Sequence, residues 1–212
     1  MPPSKPRRSP APEQRQRDSE RSRQRILEAA AAEFAAHGYA GARVAAIAAR
    51  AGVNQQLISY YFDGKQGLYH AVTGAWWEYE RELVPPGTPF AEAARRYVLQ
   101  ALHNPDGMRQ FAWRGLEYTG PEDDPDRVQR SERIRRDVDA VRARQAEGAL
   151  PSDVDPECLV VMLMAAAMAP VTLPQVFAGL CDVDPRSAEF LHRYAEQMAV
   201  VTRMLGLGET TQ

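Results

Sequence analysis

Cysteine is nearly absent from this chain, which carries two in 212 residues. Cys158 and Cys181 stand 23 positions apart, with no CxxC pair and no histidine at ligand spacing. Neither a disulfide framework nor a thiolate zinc site is expected, and two ordinary semi-buried thiols, with a redox sensor as the alternative, suit a reducing cytoplasm. Histidine is scarce as well, four in all, and His103 and His192 lack a carboxylate or cysteine partner at metal spacing. No metal and no cofactor are expected. The chain also lacks GxSxG, HExxH and a glycine-rich phosphate loop, so no catalytic residues are assigned. Long apolar runs are missing too: the longest, Leu159–Leu173, is interrupted by Pro170 and too short to span a bilayer. The opening MPPSKPRRSPAPEQ is basic but has no apolar stretch, unlike a secretory signal. The expectation is a soluble, cytoplasmic chain with no membrane partner. Alternating period-two patterns long enough for a strand are absent, so the fold class is expected to be all-α.

The charge that is present is unevenly spread. The formal total is −2, yet residues 1–62 sum to +5 and the remainder to −7. A basic end on an acidic remainder suits a polyanionic partner at that end. Residues 1–18 are rich in Pro, Ser, Arg and Gln. They are expected to form a disordered basic tail, because such a segment buries too little to offset its ordering entropy; its cations are suited to non-specific contact with a polyanion, and a leader with no partner is the alternative.

An Ala-rich helix follows from Ser22 to His37, with Ile26, Leu27, Ala30, Ala31 and Phe34 on one stripe and Gly38 at its end. The stretch VAAIAARAGVNQQLISYYF, residues 44–62, reads as two short helices broken by Gly52. Val44, Ile47, Ala48 and Ala51 recur at helical spacing, so one face of the first is buried. Gly52 supplies the left-handed conformation that stops it, and Asn54 caps the second. In that second helix Ile58 and Phe62 point one way while Gln55, Gln56, Ser59 and Tyr60 share the other face. Two helices joined by a short glycine-containing turn form the DNA-binding helix-turn-helix arrangement. The outer face of its second helix is polar and uncharged, which suits base edges in a major groove. Gln55 and Gln56 carry amides able to pair with adenine, and Leu57 is suited to a thymine methyl.

Asp63-Gly64 is a turn, and Lys65 opens a helix to about Val84. Lys65 therefore sits at a helix N-terminus, which attracts phosphate. Further helices are expected at about 90–103, 106–118, 125–147, 156–169, 174–180 and 185–205. The 125–147 segment reads as a solvated helix over a narrow apolar seam. The 156–169 segment is apolar all round, as if buried both within its own domain and against a partner.

The run GYAGARVAAIAARAGVNQQLISYYFDGKQGLYHAV resembles the DNA-binding region of the TetR family of transcriptional repressors. It has the Gly-aromatic pair Gly38-Tyr39, then Ile47-Ala48, then Ala51-Gly52-Val53 at the turn. The aromatic pair Tyr61-Phe62, Lys65 and Leu68 complete the pattern. The match extends over residues 25–72. Two positions depart: Ala42-Arg43 stand where the family often has Thr, and Ser59 where it usually has Tyr.

The resemblance implies a helix-turn-helix domain over 19–64 and a helical ligand-binding and dimerisation domain over 65–212. It implies phosphate contacts by Tyr60, Tyr61 and Lys65, with Arg43, Asn54 and Ser59 completing the DNA-facing set. It further implies a ligand-released repressor that binds a palindromic operator as a homodimer. The helices 156–169 and 185–205 would pair with their copies, with Leu191, Ala195, Met198 and Leu205 as the seam. An inducer pocket for a largely apolar small molecule is expected among Trp76, Phe111, Trp113, Tyr118, Met162, Met164 and Met168. The alternatives are a helical adaptor that binds protein but no DNA, and a small helical enzyme. An adaptor has no need of the polar-faced helix after Gly52, and an enzyme would need chemistry-bearing motifs that are missing here.

Overall fold

The computed structural model of the chain describes residues 12–85, 87–124 and 127–207. Among these, the regular elements are α-helices apart from one short 3-10 turn at Pro121–Asp123, so the all-α expectation holds. They are α1 (Pro12–Gly41), α2 (Val44–Ala51), α3 (Gln55–Phe62), α4 (Gly64–Leu83) and α5 (Phe90–His103). Then follow α6 (Pro105–Leu116), α7 (Arg127–Ala146), α8 (Pro156–Thr172), α9 (Pro174–Cys181) and α10 (Ala188–Met204). The chain divides into two compact units between Ala75 and Trp76, within α4.

In the first unit α1 packs against α2, and α2 against α3. Their apolar stripes meet in a core built on Ile26, Phe34, Ile47, Ile58, Phe62 and Leu68. The expected boundary after residue 64 lies too early, because Leu68 and Val72 on the first turns of α4 belong to this core. Gly67 allows α4 to run close under α3, since a Cβ there would lie 1.8 Å from the Phe62 carbonyl oxygen.

The expected tail is also too long. Residues 1–11 lie outside the described residues, but α1 is helical from Pro12. A first-turn proline starts a helix well, and Gln, Arg and Glu continue it readily. Two tertiary contacts then hold the segment: the Ser19 hydroxyl lies 2.9 Å from that of Tyr61, and the Arg23 guanidinium sits over the Phe62 ring.

The second unit is built on α5, which packs against α10 and α8. Val98, Val141, Val160, Leu191, Ala195 and Leu207 form its centre. Asp155 caps α8, accepting a hydrogen bond from the Cys158 N–H at 2.7 Å. That helix does not stop before Pro170 but continues through it to Thr172. A proline removes the donor that would reach the carbonyl four residues earlier, here that of Ala166. The hydroxyl of Tyr194, from α10, donates to that carbonyl instead, at 2.8 Å. Among the described residues no single helix is long and apolar enough to cross a membrane.

Candidate nucleic-acid interface and ligand cavity

The geometry of α2 and α3 follows from three local devices. Arg43 precedes α2 with extended backbone and gives no side-chain cap. The carboxylate of Glu33, buried on α1, accepts from the Arg43 backbone N–H at 3.2 Å and serves that end instead. Gly52 stops α2 at φ 64°, ψ 40°, a conformation glycine adopts without steric cost. The Asn54 side chain then accepts from the Gln56 N–H at 3.0 Å, so its carboxamide oxygen is engaged in capping α3.

With Asn54 capping one end and the Asp63 backbone N–H donating to the Ser59 carbonyl at the other, α3 buries Ile58 and Phe62 and turns Gln55, Gln56, Ser59 and Tyr60 to solvent. Tyr60 is 79 % exposed. The strip presents amides, a hydroxyl and a phenol, groups able to donate and accept without net charge. Leu57 is half-buried against the unit's own core, which leaves less of it for an outside contact than expected.

Tyr61 and Lys65 already have intramolecular partners. The Tyr61 hydroxyl meets Ser19. The Lys65 ammonium donates to the Ala40 carbonyl at 3.3 Å and lies 4.8 Å from the centre of the Tyr39 ring. Arg43 directs an exposed side chain outward. Ser19 and Glu33 were not foreseen from the sequence. Glu33 did leave a signal, as the one acidic residue beside Phe34 in an otherwise apolar stretch.

The second unit holds a half-open cavity of about 360 Å³, a volume within the range of small-molecule sites. Of the expected lining residues it gathers Phe111, Met164 and Met168. Three others are corrected. Met162 faces outward from α8 at 66 % exposure, because the turn of the helix puts it opposite Leu163 and Met164. Tyr118 lies beyond the end of α6 and is exposed. Trp113 is half-buried but does not line the cavity. The side chain of Trp76 lies outside the described residues.

The arginines of α7 were missed. Arg130, Arg133, Arg136 and Arg144 all line the cavity, so the helix read as a solvated face supplies one of its walls. Arg130 pairs with Asp124, which also lies 3.8 Å from Arg114. The hydrogen bond from Arg130, more than any other influence, holds the Asp124 carboxyl below the usual carboxylate range.

The expected dimer seam is likewise corrected. Leu191, Ala195 and Met198 are buried within their own chain, on the face of α10 that belongs to the unit's core, and offer no surface to a partner. Leu205 stays partly open. The exposed apolar side chains lie one helical step around: Val201 and Met204 on α10, Val161 and Met162 on α8, and Leu180 on α9.

A capped, uncharged polar helix after a glycine turn, joined to a helical unit with a half-open cavity, is the arrangement of a one-component helix-turn-helix regulator. Residues 26–72 match the family described as bacterial regulatory proteins, tetR family. Residues 90–203 match the tetracyclin repressor-like C-terminal domain. The chain belongs to the TetR family of bacterial regulatory proteins.

It is 37 % identical over 168 residues to the HTH-type transcriptional repressor SCO4008 of Streptomyces coelicolor, covering 76 % of this chain and 83 % of that one. The crystal structure of SCO4942, also from Streptomyces coelicolor, is 28 % identical and superposes with a TM-score of 0.69. That match covers 86 % of this chain and 97 % of SCO4942. AibR, crystallised with isovaleryl coenzyme A and operator DNA, shares the fold at a TM-score of 0.68 and 16 % identity, over 89 % of this chain and all of AibR.

Proposed function

We propose that the chain is a repressor that sits on a palindromic operator as a homodimer and leaves when a small molecule fills the cavity of its second unit. The observation that carries this reading is the outer strip of α3. Gln55, Gln56, Ser59 and Tyr60 are exposed together on a helix capped by Asn54 at one end and Asp63 at the other. Amide side chains on a rigid short helix are the groups that read base edges. Arg43 and Lys65 would contact the backbone, and the α4 N-terminus adds its own attraction for phosphate.

Repression rather than activation draws its support from the relative named a transcriptional repressor. The dimer reading draws on the exposed apolar side chains of α8, α9 and α10. Such a patch is one that soluble chains cover, and a second copy related by a two-fold axis covers it with the same residues. That symmetry would carry two copies of α3 to sites about 34–36 Å apart, one turn of duplex.

Selection of genomic fragments by the purified protein tests the reading. The expected result is enrichment of one inverted repeat, bound more weakly as salt rises. Enrichment of no sequence, or of one with no two-fold symmetry, overturns it.

A further inference from the structure

We infer that the first turns of α1 are a second DNA-contacting element: residues 13–25, docked against α3, lay Arg17 and Arg21 on the phosphate ridge beside the groove that α3 enters. The inference rests on the reading of α3 as the base-reading helix and adds a surface to it.

The match to the family starts at residue 26, whereas α1 starts at Pro12. At 1.5 Å per residue the difference is about 21 Å of helix. Ile26 is the first residue of α1 in the unit's core. Everything from Glu13 to Arg25 is polar, and a helix polar on every side has no apolar face of its own to hold it in place.

Side chains of the helix-turn-helix hold it instead. The Ser19 and Tyr61 hydroxyls lie 2.9 Å apart, and the Arg23 guanidinium lies 5.3 Å from the centre of the Phe62 ring. Beyond the other end of α3, Arg25 approaches the turn, since a Cβ on Gly52 would lie 3.9 Å from its terminal nitrogen. The Tyr61 ring lies 5.1 Å from that of Tyr60, so Ser19 stands one side chain away from the polar strip. The segment therefore leads out of the core past the end of α3, in a fixed relation to the residues that would read bases.

Residues 13–25 hold five arginines and three carboxylates. One of the three, Glu20, accepts from Gln16 at 3.3 Å. Arg17, Arg21 and Arg25 recur at every fourth position and are exposed, a spacing at which like charges repel along a helix. Among the described residues no carboxylate pairs with Arg17 or Arg21. A polyanion relieves that repulsion. A helix about 10–12 Å across fills a major groove about 12 Å wide, so the groove's phosphate ridge meets whatever borders the recognition helix. Here that border is the outer part of α1, and arginine is the side chain whose planar fork matches a phosphate.

The test is a salt titration of the full-length protein on labelled operator DNA, with phosphate-ethylation interference on the same fragment. Arg17→Gln with Arg21→Gln keeps helix propensity and should flatten the slope of log affinity against log salt by about 1.8 per protomer, about 0.9 for each phosphate contact. The preferred sequence should not change, and ethylated phosphates that block the wild type beside the α3 groove should no longer block the double variant. Arg186→Gln, exposed at the start of the last helix, removes one charge far along the chain and should leave the slope as it is. An unchanged slope in the double variant, an equal effect per charge in Arg186→Gln, or the same blocking phosphates in both proteins overturns the inference. If selection yields no operator, the titration is made on duplex of mixed sequence. A slope still flattened by the double variant then keeps α1 on DNA while the operator reading falls, and no binding at all fells both.

Discussion

Removing the charge of Lys65 probes a group that serves the fold and, on the function proposed, the DNA. Lys65→Met keeps the aliphatic stem and deletes the ammonium, which donates to the Ala40 carbonyl at 3.3 Å and lies 4.8 Å from the Tyr39 ring. A cation over an aromatic face at a partly open site contributes about 0.5–1 kcal/mol. A solvent-accessible hydrogen bond adds roughly 0.5–1 kcal/mol. The variant should therefore lose about 1–2 kcal/mol of stability in the first unit. On DNA, one neutralised phosphate corresponds to a change of about 0.9 in the slope of log affinity against log salt. Over a fourfold rise in salt, that slope is worth about 3.5-fold in affinity per protomer and about 12-fold for a dimer.

The assay is fluorescence anisotropy of a labelled operator fragment, titrated with salt at a temperature where melting curves show both proteins folded. Lys65→Arg should restore the slope, since it restores the charge. A Lys65→Met protein with lowered melting temperature and an unchanged slope would refute the phosphate contact and leave Lys65 as a strut between α4 and the end of α1.

Three further expectations follow from the geometry. Gln55→Ala and Gln56→Ala should change which sequence is preferred and cost about 1–3 kcal/mol on the cognate site; the α3 cap uses the Gln56 backbone, so the helix survives, and an unaltered preference in selection from random DNA places base reading elsewhere. Met204→Arg should convert dimers to monomers at micromolar concentration by light scattering, whereas Met198→Arg should unfold the second unit, since its charge would be buried at a cost of several kcal/mol; a dimeric Met204→Arg protein refutes the outward face of α10 as the interface. Tyr194→Phe should cost about 1–3 kcal/mol by orphaning the Ala166 carbonyl. In a Pro170→Ala background, where the substituted residue supplies a backbone donor, that cost should shrink; equal losses in both backgrounds mean the tyrosine does not serve that carbonyl.

The first unit was legible because its geometry is enforced by residues that act over three or four positions. Gly52, Asn54 and the alternation of Ile58 and Phe62 against Gln55, Gln56 and Ser59 each have one local consequence, and the structure realises all of them. What stayed hidden there acts over longer range. Ser19 reaches Tyr61 across 42 positions, and no composition rule anticipates that such a contact turns a polar leader into helix from Pro12. Lys65 reaches Ala40 across 25, so a residue read for its charge also has a partner at home. Glu33 was visible as an oddity but not as the group that serves α2, because the pairing depends on where α1 and α2 cross.

The second unit was legible in its helices but not in their facing, and α10 shows why. Its apolar positions recur with helical spacing, and that spacing measures how much surface must be covered without saying by what. Leu191, Ala195 and Met198 are covered by the chain's own helices, and Thr202 follows them inward, donating to the Met198 carbonyl at 2.7 Å. Val201 and Met204, one step around, are left in the open. A helix with two apolar faces yields one stripe to periodicity, and the stripe drawn was the inner one.

On α8 the same ambiguity takes another form, since an all-round apolar helix has no phase at all. Only the fold sends Met164 and Met168 to the cavity and Met162 outward. The reverse error fell on α7. Charged residues are assigned to solvent by habit of composition, yet Arg130, Arg133 and Arg144 recur around Ile134 and Asp137 at the spacing of a single face. A face made of guanidinium groups is hidden from any scale that scores apolarity. It becomes visible only in the folded chain, where Arg130, Arg133, Arg136 and Arg144 are seen to line the cavity.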